Sequence, residues 1–148
     1  MDYHRAINKP IHYNSKLYEG YMAGGTNALL DGYRGGLTYL DGRWQGYLDD
    51  LDCVIDMEEE TDIHKVSIRF MQLIGPGVFQ PGQVELLTSE DGENFISRGI
   101  VPTTVPADDP DLLFQEYTFD GNWKARYVRL KAPRANPGFI FADEIVVW

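Results

Sequence analysis

Leu51-Asp52-Cys53-Val54-Ile55-Asp56-Met57 is an apolar run broken by acids, which stops at the acidic turn Glu58-Glu59-Glu60; Ile63-His64-Lys65-Val66-Ser67-Ile68-Arg69-Phe70 follows it. Approximate alternation places Val66, Ile68 and Phe70 on one face, the period of a half-buried strand. The stretch therefore predicts two strands joined at the acidic turn. Working outward, segments of the same kind recur at Gln83 to Thr88, Leu113 to Phe119, Ala125 to Leu130 and Ile140 to Val147, with a short strand at Ile11 to Tyr13 after the turn Asn8-Lys9-Pro10. Tyr127 and Val128 must face opposite sides. Turn chemistry separates the segments: Asp91-Gly92 within the hairpin Ser89 to Phe95, Gly121-Asn122, the loop Gly75-Pro76-Gly77 carrying Val78 and Phe79 up to Pro81-Gly82, Val101 to Asp111, and Pro133 to Gly138. About eight strands at roughly ten-residue spacing predict an all-β fold, a β-sandwich or jelly roll.

The 148 residues fit one domain, 1–148, with residues 1–26 as an N-terminal extension that includes an edge strand. The 13% aromatic content, 15 Gly and 8 Pro agree with a turn-rich β fold rather than a helical bundle. The 23 acidic and 13 basic side chains give a formal charge of −10, which repels nucleic-acid phosphates and anionic membrane surfaces. Neither is expected as a partner. Cys53 is the only cysteine, so no internal disulfide or CxxC site exists, and its apolar surroundings read as those of a small buried hydrophobe. Met1-Asp2-Tyr3-His4-Arg5 lacks the apolar core of a secretory signal, and no apolar run approaches the ~20 residues of a membrane span.

A long loop begins at Gly24-Gly25-Thr26-Asn27, and from Gly32 to Gly46 the chain is dense in Gly, aromatics and charge. This is where function is expected, because loops on a rigid scaffold carry binding residues. Catalysis is not expected. His4, His12 and His64 are scattered, and adjacent acids such as Asp49 with Asp50, or Glu58 to Glu60, fall in turns rather than in the facing pair a glycosidase requires.

Several segments in this order resemble the coagulation factor 5/8 type C, or discoidin, domain, also described as carbohydrate-binding module family 32: Ala28-Leu29-Leu30-Asp31-Gly32, Trp44-Gln45-Gly46-Tyr47, Leu51 to Met57, Ser89 to Phe95, Ala125 to Leu130 and Asp143-Glu144-Ile145-Val146-Val147. Tyr21-Met22-Ala23-Gly24-Gly25, Asp31 to Gly46, and Phe70-Met71-Gln72 with Val78-Phe79-Gln80-Pro81 are similar to the domain that follows the catalytic barrel in β-N-acetylhexosaminidases, or chitobiases, of gut Bacteroidetes.

The resemblance implies a galactose-binding-like jelly roll, a non-catalytic accessory domain of a secreted, periplasmic or cell-surface glycoside hydrolase. Its implied partners are a glycan, containing N-acetylhexosamine or galactose, and the catalytic domain of the same polypeptide. It also implies a structural calcium held by the Asp31 and Glu144 carboxylates and the carbonyls of Ala28, Tyr33, Gly36 and Asp143. A hard cation takes six to eight oxygens of this kind. Sugar recognition needs an aromatic platform and planar polar side chains, and the loops offer Tyr39, Arg43, Trp44, Gln45, Gln72, Phe79, Asn136 and Phe139. Galactose-binding relatives place an Arg shortly after the strand ending Phe70-Met71-Gln72; here Leu73 and Ile74 stand there.

Overall fold

The computed structural model describes residues 4–15, 28–32, 35, 44–47, 50–136 and 138–148. Among them are seven strands: β1 (Ile11–Tyr13), β2 (Gln45–Tyr47), β3 (Leu51–Gln72), β4 (Gln83–Ser89), β5 (Ile96–Pro102), β6 (Leu113–Ala132) and β7 (Ile140–Val147), with one 3-10 turn at Ala28–Leu30. Every strand pairing is antiparallel, in the order β2-β7-β3-β6-β4-β5, and β1 lies on β3.

The frame is a ribbon of the two long strands, paired from Leu51↔Ala132 to Gln72↔Leu113. The first half of β3 takes β1 on its free side and the second half takes β7. On the far side, β4 pairs only with the second half of β6. One end of the ribbon thus belongs to a layer β1-β3-β6-β4-β5 and the other to a layer β2-β7-β3-β6. Folding the ribbon across its middle lays the two layers face to face.

This corrects two expected turns. Glu58-Glu59-Glu60 and Gly121-Asn122 do not reverse the chain, because they lie near one another across the ribbon, where Thr61 pairs with Ala125 and Lys65 with Asp120. The ribbon bends there through register shifts between Asp56 and Thr61 and between Ile63 and Lys65. Glu58 adopts φ 72° at the bend, and its N–H donates to Asp56 Oδ1 at 2.7 Å. Each irregularity changes which side chains face inward. Leu51, Cys53, Ile55, Met57 and Ile63 point into the core before the bend, and Val66, Ile68 and Phe70 after it. The strand after the bend is buried on both faces rather than one, since Ser67 and Met71 are also covered.

One hydrophobic cluster fills the space between the layers, joining both halves of β3 and β6 to Leu29 and Leu30 of the 3-10 turn and to Ala142, Ile145 and Val147 of β7. Each fully buried Leu, Ile or Phe in it contributes roughly 1.5–3 kcal/mol. Cys53 lies here with no exposure, and burial pushes its thiol up to about 12, away from reactivity. A second cluster, Trp44, Met71, Val78 and Phe141 with Phe114 and Phe139 against it, covers the outer face of the β2-β7-β3-β6 layer.

Candidate cation and glycan sites

Near its middle, β7 breaks its regular register. Ile68 pairs with Ile145 and Phe70 with Ala142, so the single residue Arg69 opposes both Asp143 and Glu144. Ile140 and Ala142 face the core before this bulge, and Ile145 and Val147 after it. Both acids are therefore displaced from simple alternation, and both are fully buried.

Asp143 is answered by charge. Its Oδ2 accepts from Arg69 Nη2 at 2.6 Å, Arg69 Nε at 3.0 Å and Gly35 N at 2.9 Å, while Oδ1 accepts the Glu144 N–H at 2.7 Å. Arg69 Nη2 also donates to the Gly35 carbonyl at 2.8 Å. The guanidinium lies 5.1 Å from the Trp44 ring centroid and 5.0 Å from that of Phe114, and the two rings stack at 5.7 Å. Burial pushes the Asp143 carboxyl above its ordinary value, with the Arg69 charge acting the other way. Gly35 has to be glycine in this arrangement, because a Cβ there would lie 2.1 Å from the Trp44 indole.

Among the described residues, the donors to Glu144 are neutral. Its Oε2 receives the Gly32 N–H at 2.9 Å and lies 2.6 Å from His4 Nε2. His4 Nδ1 accepts the Ala6 N–H at 3.2 Å, so the ring proton sits on Nε2 and the imidazole donates without a charge. Glu144 Oε1 is buried and has no hydrogen-bond partner among the described residues. Burial, with the nearby Asp31 and Asp143 acids adding to it against the Gly32 N–H, pushes the Glu144 carboxyl up to about 9. The ionised form places negative charge beside Asp31, and the neutral form can donate its O–H to the Asp31 carboxylate. Among the described residues no group of three or more His, Cys, Asp or Glu is spaced to hold a metal. Asp31 and Glu144 are near neighbours, and the backbone group that meets Glu144 is the Gly32 N–H. Ala28 lies in the 3-10 turn just before Asp31, and that turn packs against β7. Tyr33 and Gly36 lie outside the described residues.

The sugar-contact expectations divide. Trp44, Gln45 and Gln72 are interior, at 1%, 0% and 1% exposure, and the expectation that they face ligand is corrected. Trp44 stacks on Phe114, and the Arg69 guanidinium lies against both rings. Gln45 Oε1 accepts the hydroxyls of Tyr13 and Tyr47, and Gln72 Nε2 donates to the Pro106 carbonyl at 2.7 Å. Phe79, Asn136 and Phe139 remain half-buried at the loop end of the sandwich. There the loop after β3 is zipped to the one before β7: Phe79 N–H donates to the Phe139 carbonyl at 2.9 Å, and Phe139 N–H to the Gly77 carbonyl at 2.8 Å. Gly138, at φ 130°, allows this approach, since a Cβ on it would stand 2.4 Å from the Gly77 carbonyl oxygen. Tyr39 and Arg43 lie outside the described residues.

Sequence reasoning missed three supporting side chains. His4 gave no local signal, standing 140 positions from its partner. Arg69 looked like an ordinary polar residue of an alternating strand. Gln80 ties the loop end together, its Nε2 donating to the Phe70 carbonyl and its Oε1 accepting from the Tyr117 hydroxyl, each at 3.0 Å.

No protein-family model and no curated protein matches the chain. Solved structures do. A fucose-binding module of Streptococcus pneumoniae superposes with a TM-score of 0.68 at 15% identity, covering 99% of this chain and 95% of that one. Chitosan-binding module 1 from a chitosanase/glucanase of Paenibacillus sp. IK-5 gives 0.67 at 14% identity, over 99% and 98%. The Clostridium perfringens module CpGH89CBM32-5, solved in complex with GalNAc-β-1,3-galactose, gives 0.61 at 20% identity, over 95% of each chain. At these identities the likeness establishes the fold: an antiparallel β-sandwich of the galactose-binding-like type found in carbohydrate-binding modules.

Proposed function

We propose that this chain is a non-catalytic carbohydrate-binding module, an accessory domain of a β-N-acetylhexosaminidase or chitobiase-like glycoside hydrolase that acts in the periplasm, at the cell surface or after secretion. The observation that carries this reading is the end-to-end fold match to modules described as binding fucose, chitosan and GalNAc-β-1,3-galactose. Fold alone assigns no ligand. The half-buried Phe79 and Phe139 at the zipped loop end support a platform for a pyranose face there. A weak site is sufficient for the role, because tethering to an enzyme raises its local concentration on a polymeric substrate.

The cation is part of the same reading. In it, Asp31 and Glu144 supply carboxylates, Glu144 through its unpartnered Oε1, and Ala28, Tyr33, Gly36 and Asp143 supply carbonyls to a calcium ion. Bound there, calcium neutralises the acid pair and ties the segment after the 3-10 turn to the last strand. The chain's own residues prepare the site: His4 and Gly32 hold Oε2 and leave Oε1 to the metal, and Arg69 removes Asp143 from the charge balance.

A glycan array probed with the isolated domain, with and without chelator, tests both halves. Binding to hexosamine- or galactose-containing glycans is expected. The burial of Trp44, Gln45 and Gln72 favours a second reading, a scaffold that packs on the catalytic domain and binds no sugar. An array without a single binder would select it.

A further inference from the structure

In a chain with 23 acidic residues against 13 basic ones, one half-buried arginine among the described residues meets no acid there. Arg69, Arg126 and Arg129 each contact an aspartate, Asp143, Asp56 and Asp52 respectively. Arg98 of β5 donates from Nε to the buried Thr88 hydroxyl at 2.8 Å, and its two Nη groups meet no acceptor among the described residues. Its orientation is built into the backbone. Leu86 pairs with Gly99 and Leu87 with Ser97, so Arg98 is the extra residue of a β-bulge, and Gly99 at φ 143° makes the bulge possible. Such a bulge re-aims one side chain out of the regular pleat.

That side chain lines a cleft of about 320 Å³ between the β4–β5 hairpin and β6, together with Asn94, Phe95, Ile96 and Lys124. Such a volume is at the low end for small-molecule sites, roughly 300–1,000 Å³. Lys124 is held only loosely, 3.8 Å from Asp62 with both side chains more than half exposed. Asn94 Nδ2 donates to Asp91 at 2.7 Å, which leaves Oδ1 as an acceptor. Phe95 and the 59% exposed Ile96 give the wall an apolar surface. Two acids also line the cleft. Asp91 is spent on the N–H groups of Glu93 and Asn94 and on Ser89, and Glu90 is exposed.

We propose that this cleft binds a carboxylated pyranose, a hexuronate residue of a glycan. The Arg98 guanidinium matches a carboxylate with paired N–H groups. Lys124 adds charge, Asn94 Oδ1 accepts from a ring hydroxyl, and Phe95 with Ile96 lies against the apolar ring face. The net charge of −10 does not forbid this, since exposed charges beyond about 8 Å are screened at physiological salt. Ser89 pairs with Tyr127 close to the ribbon bend, whereas the Phe79 and Phe139 loops follow the opposite ends of β3 and β6. The hexuronate cleft is thus separate from the loop end and independent of the function proposed there.

Titration of the isotope-labelled full chain with D-glucuronate, followed by amide NMR shifts and calorimetry, tests the proposal, with D-glucose and sodium acetate as comparators. Glucuronate should perturb the amides of Asn94 to Arg98 and Lys124 and bind at least about tenfold tighter than either comparator. Arg98→Gln should weaken it more than about tenfold, the effect of removing a charged hydrogen-bond pair. Lys124→Gln should weaken it by less, and Asp108→Asn, in the exposed loop before β6, not at all. Equal binding of glucose, equal shifts from acetate, or indifference to both Arg98→Gln and Lys124→Gln overturns the assignment. If Arg98→Gln does not fold, Lys124→Gln and Asn94→Ala decide the matter. Glucuronate binding with a blank response to neutral glycans leaves this cleft standing and sinks the loop-end reading alone.

Discussion

The outer faces of the two layers use one pair of residue types in opposite ways. On the β1-β3-β6-β4-β5 layer, Arg129 and Arg126 each give two hydrogen bonds to the two oxygens of an aspartate, Asp52 at 2.8 and 2.7 Å and Asp56 at 2.9 and 3.0 Å, in partly exposed positions. On the β2-β7-β3-β6 layer, Arg69 gives two of its bonds to Oδ2 of Asp143, because Oδ1 is taken by the amide of the bulge; the carboxylate is fully buried, and the guanidinium lies against Trp44 and Phe114. The open pairs are ideal in geometry and weak in effect, since water competes for every charge. The covered pair is less regular, yet breaking it strands a charge in an apolar place. Location, rather than shape, sets what these pairs contribute.

The sharpest way to break this contrast is to remove the cover. Trp44→Ala should lose about 3–5 kcal/mol in a urea titration, the range for truncating a buried tryptophan. A loss below about 1 kcal/mol would show that the second face is not packed as described. Next comes the cation beside it. Calcium at a hundredfold excess over its Kd should raise stability by about 2.7 kcal/mol, read as a higher Tm that chelator reverses, and Glu144→Gln should abolish the shift. No shift in the unaltered chain removes calcium from the proposal.

Asp143→Ala, which strands Arg69, should lose about 2–3 kcal/mol, below the full value for a buried pair because the arginine side chain keeps 22% exposure. Asp52→Asn should lose no more than about 1 kcal/mol; equal losses for the two would erase the contrast. The exposed pair also predicts a pH effect. Partial burial opposes ionisation of Asp52, but Arg129 outweighs it and holds the carboxyl below the ordinary aspartate value of 3.8. Folded and unfolded forms are both ionised well above that value, where the contribution is complete. It is lost as pH falls below 3.8 toward the folded value, so Asp52→Asn should flatten the acid limb of Tm against pH.

Much of the fold was legible because strand formation is written locally. The alternation at Val66, Ile68 and Phe70, the Asp91-Gly92 hairpin and the final strand Ile140–Val147 all stand where the sequence puts them. Even the bend is visible afterwards, as apolar positions change from odd to even numbers between Ile63 and Val66. Before the structure, that change reads as a turn, since the sequence does not say which strand lies opposite. The candidate sites were legible only as residue types. Trp44, Gln45 and Gln72 carry the right chemistry for a sugar and are nonetheless enclosed by other parts of the chain.

The sequence by itself determined the all-β class, the approximate strand positions and the formal charge of −10. These follow from period, turn chemistry and net charge, which need no knowledge of distant neighbours. Only the tertiary structure decided that one ribbon serves both layers, that Asp143 is matched by Arg69 and that, among the described residues, Glu144 Oε1 has no hydrogen-bond partner and Arg98 no acid. Burial and charge pairing arise between segments up to 140 residues apart, and no local pattern encodes them.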